Sequence, residues 1–287
     1  DHLDYHANFA DYFAAKSGLF ERVLSDQGCA VLNLDDVKSA EILSIAKARG
    51  LRVISVGRGD EADLQLTAQR FDVAGQAVRF RWQQRAHQLE LSLIGGFQAD
   101  NVLLAAALVI ASGADPDEVF DALPAVSTVR GRMELVAQRD NGASIFVDFA
   151  HTPDAVTTAL KALRPHVMGR LVAIIGAGGD RDRSKRPLMG QAAAAQADLV
   201  IVTDDNPRSE DPATIRKMVL SGAADALEVP DRASAILRGV DMLDAGDALL
   251  IAGKGHETTQ TVGDIVFPFD DAEQASIAVA ALEGRLA

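Results

Sequence analysis

Leu171-Val172-Ala173-Ile174-Ile175-Gly176-Ala177-Gly178-Gly179 is the stretch on which the fold turns. Five apolar residues in a row show no alternation, as in a strand covered on both faces. They run directly into glycines that permit a tight turn, and a helix is expected after Pro187. The pattern recurs on both sides. Strand Ile145–Phe149 leads to a helix opened by Thr152 as N-cap with Pro153 in its first turn. Strand Leu199–Thr203 precedes Asp205-Asn206-Pro207-Arg208, and Asp211-Pro212 starts the next helix. Strand Ala248–Ala252 ends at Gly253-Lys254-Gly255-His256-Glu257. Strand and helix in alternation predict an α/β fold with a Rossmann-like, doubly wound sheet.

Ahead of this region the rhythm differs. Ala7 to Asp26 reads as a helix, Ala30–Leu34 as a strand, Val37–Arg49 as a helix and Arg52–Val56 as a strand, a βαβ-like series. Between Leu64 and Leu93 the apolar residues fall at period two (Val78, Phe80, Trp82, then Leu89, Leu91, Leu93), which predicts antiparallel strands. Helices at Asp100–Ser112 and Asp117–Leu123 close this half. Two domains follow, 1–129 and 130–287, with the boundary near Val129.

Composition narrows the function. The chain has 287 residues, 48% of them hydrophobic, enough to fill two cores. Its net charge is 28 minus 41, or −13, which argues against a nucleic-acid or anionic-membrane surface, since both want clustered Lys and Arg. An anionic ligand must then be held by local positive groups or backbone amides. Cys29 is the only cysteine, so no intrachain disulfide forms and a reducing cytoplasm is expected. The longest apolar run, Val102 to Ala111, is too short to span a bilayer. The polar opening Asp1-His2-Leu3-Asp4, without Met, suggests a fragment whose start lies upstream.

Four clusters follow directly on four predicted strands: Asp148 to Asp154, Gly176 to Arg186, Asp204 to Arg208, and Gly253 to Glu257. Open α/β sheets bind ligands at that edge. One such cluster would be ordinary turn chemistry; four carrying Arg, Lys, His and Glu point to a site. The glycine loop at Gly176 lacks the glycine of a dinucleotide fingerprint, having Arg181 in its place, so a nicotinamide cofactor is not expected. Its charged residues fit the grip of a carboxylate or phosphate better, with Arg183 read as a solvated cap. His2 and His6 could by themselves suggest zinc, yet the remaining ligands of a closed site are missing.

Taken together, several strings resemble one family, the Mur ligases, and are most similar to the members that add meso-diaminopimelate. They are Asp1-His2-Leu3-Asp4-Tyr5-His6 with Ala14-Ala15-Lys16, and Gly131-Arg132-Met133-Glu134. Next come Asp148-Phe149-Ala150-His151-Thr152-Pro153-Asp154, Gly178-Gly179-Asp180-Arg181-Asp182 and Lys185-Arg186-Pro187-Leu188-Met189-Gly190. Asp205-Asn206-Pro207-Arg208 and Gly253-Lys254-Gly255-His256-Glu257 complete the set, in family order. The resemblance implies the C-terminal part of a central ATP-binding domain followed by a complete C-terminal domain.

By that resemblance Lys16 is a carbamylated lysine and His2 a ligand, both serving Mg²⁺, which prefers hard oxygen donors. Asn101 is expected near adenine, Arg132 at phosphate, Asp148 at ribose, and His151 near the nucleotide. Arg181, Asp205, Asn206, Pro207, Arg208, Gly253 and Glu257 are expected to form the amino-acid pocket, with Arg208 forking onto a distal carboxylate and Glu257 pairing with an ammonium. Relatives that add lysine lack the arginine of the Asp-Asn-Pro-Arg string.

The implied reaction phosphorylates the γ-carboxylate of UDP-N-acetylmuramoyl-L-alanyl-D-glutamate from ATP, and the amine of meso-diaminopimelate then displaces phosphate. Gln98, Phe149 and Ala177 depart from the commoner family residues without removing a ligand. No G-x-x-x-x-G-K-[ST] string occurs in the chain, so it is expected to form no product alone. A soluble, cytoplasmic monomer acting on small molecules is expected. The rivals are a lysine-adding or folylpolyglutamate-forming ligase, against which Arg208 argues, and a non-catalytic amino-acid-binding module, against which Lys16 and His2 argue.

Overall fold

The computed structural model describes residues 8–72 and 74–285. His2, Asp4 and His6 lie outside the described residues. The chain divides into two compact units, one of residues up to Phe71 with Gly75–Val126, the other of Asp72–Ala74 with Ser127 onward.

The first unit comprises helix α1 (Phe9–Gly18), β1 (Cys29–Asn33), α2 (Ser39–Ala48), β2 (Arg52–Gly57), β3 (Leu64–Asp72), β4 (Gly75–Trp82), β5 (Arg85–Leu91), α3 (Phe97–Ala111) and α4 (Pro116–Ala122). Its five strands form one sheet in the order β1-β2-β3-β4-β5. β1 to β3 pair in parallel, while β4 and β5 form an antiparallel hairpin with Val78 opposite Leu89 and Phe80 opposite His87. The turn is Gln83-Gln84, both at positive φ (48° and 67°), the geometry that continues the strand twist. Period two is visible in β1: Ala30 and Leu32 pack with Ile42, Ala46 and Leu51 of one cluster, whereas Cys29 and Val31 pack against the main core. That core sets Ile54, Val56, Leu64, Leu66, Val78 and Phe80 against Val102, Leu103, Ala106 and Ile110 of α3.

Two helix expectations are corrected here. The helix expected from Ala7 to Asp26 is an α-helix only over Phe9–Gly18; it then widens into a π-turn over Leu19–Val23, closed by Leu24 N–H donating to Leu19 O at 2.8 Å. The helix expected from Asp100 begins at Phe97, because Asp100 is not a cap but pairs across the surface with Arg58.

The second unit carries β6 (Glu134–Gln138), β7 (Ser144–Asp148), α5 (Pro153–Leu163), β8 (Leu171–Ile175), α6 (Lys185–Ala194), β9 (Leu199–Val202), α7 (Pro212–Leu220), β10 (Leu227–Glu228), α8 (Arg232–Asp241), β11 (Ala248–Ala252), β12 (Thr259–Val262), β13 (Ile265–Pro268) and α9 (Asp271–Leu282). Six strands form a sheet ordered β10-β9-β8-β11-β7-β6, parallel except for the edge strand β6. β12 and β13 form a separate two-stranded hairpin. The caps expected from sequence are present: Thr152 Oγ1 accepts from Ala155 N–H at 3.3 Å and Asp211 Oδ2 from Thr214 N–H at 3.0 Å.

The centre of the parallel sheet is covered on both faces. All five residues of β8 and of β11 are buried, as uninterrupted apolar runs require. Register then sets the level of the strand ends. Ala252 pairs with Asp148, Ile251 with Ile174, and Ile175 with Val202, so β7, β11, β8 and β9 all finish in one row. Among the described residues, no helix is long and apolar enough to cross a membrane.

Candidate functional site

The loops leaving that row enclose a cavity of about 260 Å³. Phe149 and His151 line it from the end of β7, Gly176, Ala177, Gly178 and Arg181 from β8, Asp205, Asn206 and Arg208 from β9, and Gly253 and Glu257 from β11. Lys185 and Met189, one helical turn apart on α6, complete the wall.

Two glycines allow the loops to approach. Gly253 has φ 122°, and a Cβ there would stand 2.3 Å from Asp205 Oδ2. At Gly179 a Cβ would meet Pro207 O at 1.8 Å. In exchange for that closeness, Gly179 N–H donates to Asn206 O at 3.0 Å and Arg208 Nη1 donates to Gly179 O at 2.8 Å.

The segment 205–208 is further held by the β12–β13 hairpin. Arg208 N–H donates to Thr261 O at 3.1 Å and Gly263 N–H to Arg208 O at 2.7 Å. Asn206 receives Thr261 N–H on Oδ1 at 2.9 Å, while its own N–H donates to Gln260 Oε1 at 3.0 Å. Its Nδ2 donates to Glu257 Oε2 at 2.9 Å. The chain therefore fixes a carboxylate at Glu257 through the Asn206 amide and a cation at Arg208 through the Gly179 carbonyl.

Charge is buried beneath this floor. Lys254 is 0% exposed; its Nζ donates to Thr259 O at 2.6 Å and Asn206 Oδ1 at 3.2 Å, with Asp205 Oδ1 3.5 Å away. Burial pulls this ammonium below its usual range, an effect that Asp205 opposes and Arg232 reinforces. Arg232 and Asp271 form a bidentate pair, both contacts at 2.7 Å, inside the protein. Arg186, also buried, forks onto Glu210 at 2.7 and 3.1 Å and donates to Gly178 O. The Arg186 guanidinium holds Glu210 down at about 2. Arg186 thus braces the glycine loop and is committed to protein partners, whereas Arg183 is an exposed companion on the same Glu210 at 3.0 Å.

The remaining candidates take separate positions. Asp148 accepts Met133 N–H and Ala150 N–H, each at 2.8 Å, one on each carboxylate oxygen. Burial pushes its carboxyl up, and those amides pull it back. Arg132 lies over the Phe149 ring at 4.8 Å; His151 and His256 flank the same ring at 4.5 and 5.2 Å. Pro207 is buried behind the cavity wall. In the first unit, Asn101 is exposed on α3, its Nδ2 donating to Gln98 Oε1 at 3.3 Å. Lys16 is exposed on α1, with Nζ 5.5 Å from the Tyr12 ring centre, in a cleft that Asp36 and Lys38 also line. Among the described residues, no three His, Cys, Asp or Glu side chains group as a metal site.

Comparison with known proteins follows this division. The family model described as Mur ligase middle domain matches residues 1–109, and that described as Mur ligase, glutamate ligase domain matches residues 131–255. A protein of Bradyrhizobium diazoefficiens, named UDP-N-acetylmuramoyl-L-alanyl-D-glutamate--2,6-diaminopimelate ligase, is 50% identical over 98% of this chain and 58% of its own length. A Zymomonas mobilis protein of the same name is 46% identical over 97% of this chain and 58% of itself. The chain thus spans little more than half the length of these curated relatives. A solved structure of a ligase so named superposes with a TM-score of 0.71 at 35% identity, covering 99% of this chain and 58% of the other. A Mur ligase from Thermotoga maritima in complex with ADP, at 17% identity and TM-score 0.70 over 99% of this chain and 60% of its own, shares the fold. The α/β architecture is therefore that of Mur ligase middle and C-terminal domains, and the chain belongs to the Mur ligase family.

Proposed function

We propose that this chain is the part of an ATP-dependent ligase that receives the incoming amino acid, and that the amino acid is meso-diaminopimelate. One observation carries the reading: a single cavity wall holds Arg181 and Arg208 together with Asp205 and Glu257. That pattern suits a ligand with two carboxylates and two ammonium groups, because guanidinium forks match carboxylates and buried carboxylates need cations. Lysine offers one carboxylate fewer and leaves one arginine unmatched. The names of the relatives support the same choice.

In the complete ligase, residues 1–129 supply the C-terminal part of the ATP-binding domain and 130–287 the amino-acid-binding domain. Asn101, Arg132, Asp148 and His151 are assigned to the nucleotide. A carbamylated Lys16 and His2 would hold magnesium, which would supply charge neutralisation at the phosphoryl group. The reaction proposed forms an acyl phosphate on the D-glutamyl γ-carboxylate of UDP-N-acetylmuramoyl-L-alanyl-D-glutamate. The amine of diaminopimelate then forms the amide bond as phosphate leaves. We place the enzyme in the cytoplasm as a monomer.

Titration calorimetry tests the reading. Saturable binding of meso-diaminopimelate to this chain, with much weaker binding of L-lysine and of pimelate, is expected. Equal affinity for lysine, or no heat with diaminopimelate, overturns it.

A further inference from the structure

We propose that Lys254, which lies outside the cavity wall, is a positioning residue: it fixes the direction of the Asn206 amide and thereby sets Glu257 to receive an ammonium group. The inference deepens the function proposed above and depends on it for the identity of the ligand. A buried ammonium is costly unless its donors are used. The partners of Lys254 therefore show what its burial accomplishes.

Lys254 is absent from the cavity wall, yet its Nζ donates to Asn206 Oδ1 at 3.2 Å. Thr261 N–H donates to the same oxygen at 2.9 Å. An amide whose one end faces a cation and an N–H has one acceptable orientation, since the flip would set its NH₂ against two donors. That orientation sends Nδ2 to Glu257 Oε2 at 2.9 Å, and Glu257 lines the cavity. With Lys254 gone, Thr261 alone would hold Oδ1. A rotated amide would turn its oxygen toward the Glu257 carboxylate, and like poles would push that side chain out of place.

The test uses the 287-residue chain in four forms: unaltered, Lys254→Met, Glu257→Gln and both together. Met keeps the unbranched shape and removes the donor. Calorimetry with meso-diaminopimelate is expected to show each single change weakening binding roughly tenfold, the scale of one charge-assisted hydrogen bond. The double variant is expected to bind no worse than Glu257→Gln alone. Additive losses would mean that Lys254 acts independently of Glu257, which overturns the proposal.

Asn206→Asp approaches the same link from the other side. It preserves a partner for Lys254 and deletes the donor to Glu257, so it is expected to reproduce the Lys254→Met loss even if that variant folds poorly; undiminished binding counts against the proposal. A crystal structure of Lys254→Met decides the matter whatever the cavity binds. A rotated Asn206 amide or a detached Glu257 supports the assignment, and an unmoved pair overturns it. Failure of the unaltered chain to bind diaminopimelate would instead sink the functional reading, leaving the crystal structure to judge Lys254.

Discussion

Asn206 and Arg208 stand on either side of Pro207 with backbones in the left-handed region, φ 43° and 51°, and Arg208 Nη1 lies 3.5 Å from the carbonyl oxygen of Asn206. Such a conformation costs about 1–3 kcal/mol at each non-glycine residue and persists only where the surroundings impose it. Here the surroundings are the β12–β13 hairpin and the Gly179 carbonyl. Two side chains are aimed at one cavity by a backbone that would not adopt this shape by itself.

Arg208→Ala is expected to weaken meso-diaminopimelate binding by roughly 10- to 100-fold, the scale of one or two charge-assisted bonds. Arg208→Lys keeps the charge but loses the planar fork, so it should recover only part of the affinity. Calorimetry on the three proteins measures both, and full recovery by lysine would refute a forked contact.

Gly179→Ala places a methyl carbon where Pro207 O already stands, 1.8 Å away. The two loops must separate, at a cost of about 1–3 kcal/mol typical of overpacking. Urea unfolding should show that loss, together with weaker ligand binding, because Gly179 also accepts from Arg208.

Asp271→Ala strands the Arg232 guanidinium, which is 1% exposed. Removing one partner of a buried pair typically costs about 3–5 kcal/mol. Replacing both residues with apolar ones of similar volume should be much milder. Denaturation midpoints of the single and double variants separate these outcomes.

His87 carries a pH dependence. Its ring stacks on Phe80 at 5.0 Å and packs against Phe120 at 4.7 Å, and Nε2 is buried without a hydrogen-bond partner. Burial lowers its pKa, Arg85 adds to the effect, and Asp117 and Asp121 oppose it. A depressed histidine favours the neutral form in the folded state. Its contribution is therefore complete above the unfolded value of about 6.5 and is lost as pH falls through the folded one. Thermal unfolding between pH 7.5 and 5.5 should show a falling midpoint that His87→Phe flattens; parallel curves would count against it.

The sheet of the second unit was legible because buried parallel strands leave long apolar runs, and β8 and β11 consist of nothing else. Arg181, Asp205, Asn206, Arg208, Gly253 and Glu257 were expected at its edge and do line one cavity. Other parts were not readable. α9 opens on Asp270, whose side chain caps it, but no strongly periodic apolar stripe follows; α8, capped by Asp231, does bury Ala235, Ile236, Gly239 and Val240 along one face, a spacing that could have been found. The β12–β13 hairpin exposes Ile265, Val266 and Phe267, so its pattern lacks the one-sided burial by which strands are recognised. Its hold on Asn206 and Arg208 depends on the Gln260 side chain and on backbone groups of Thr261 and Gly263, and the latter are not encoded by side-chain identity. Lys185 and Met189 could have been found, since their four-residue spacing puts both on one face of a helix beside the glycine loop.

The shared finishing line of β7, β11, β8 and β9 has a practical corollary for engineering. The loops start at one height, but those after β8, β9 and β11 are also bonded to one another through Gly179, Asn206, Arg208 and Glu257, so a new loop of different length in any one of them disturbs the other two. Choice of amino acid should be transferable only when those three loops move as a set, and a slip of one residue within a central strand would displace its loop by about 3.3 Å and turn its buried side chains to the wrong face.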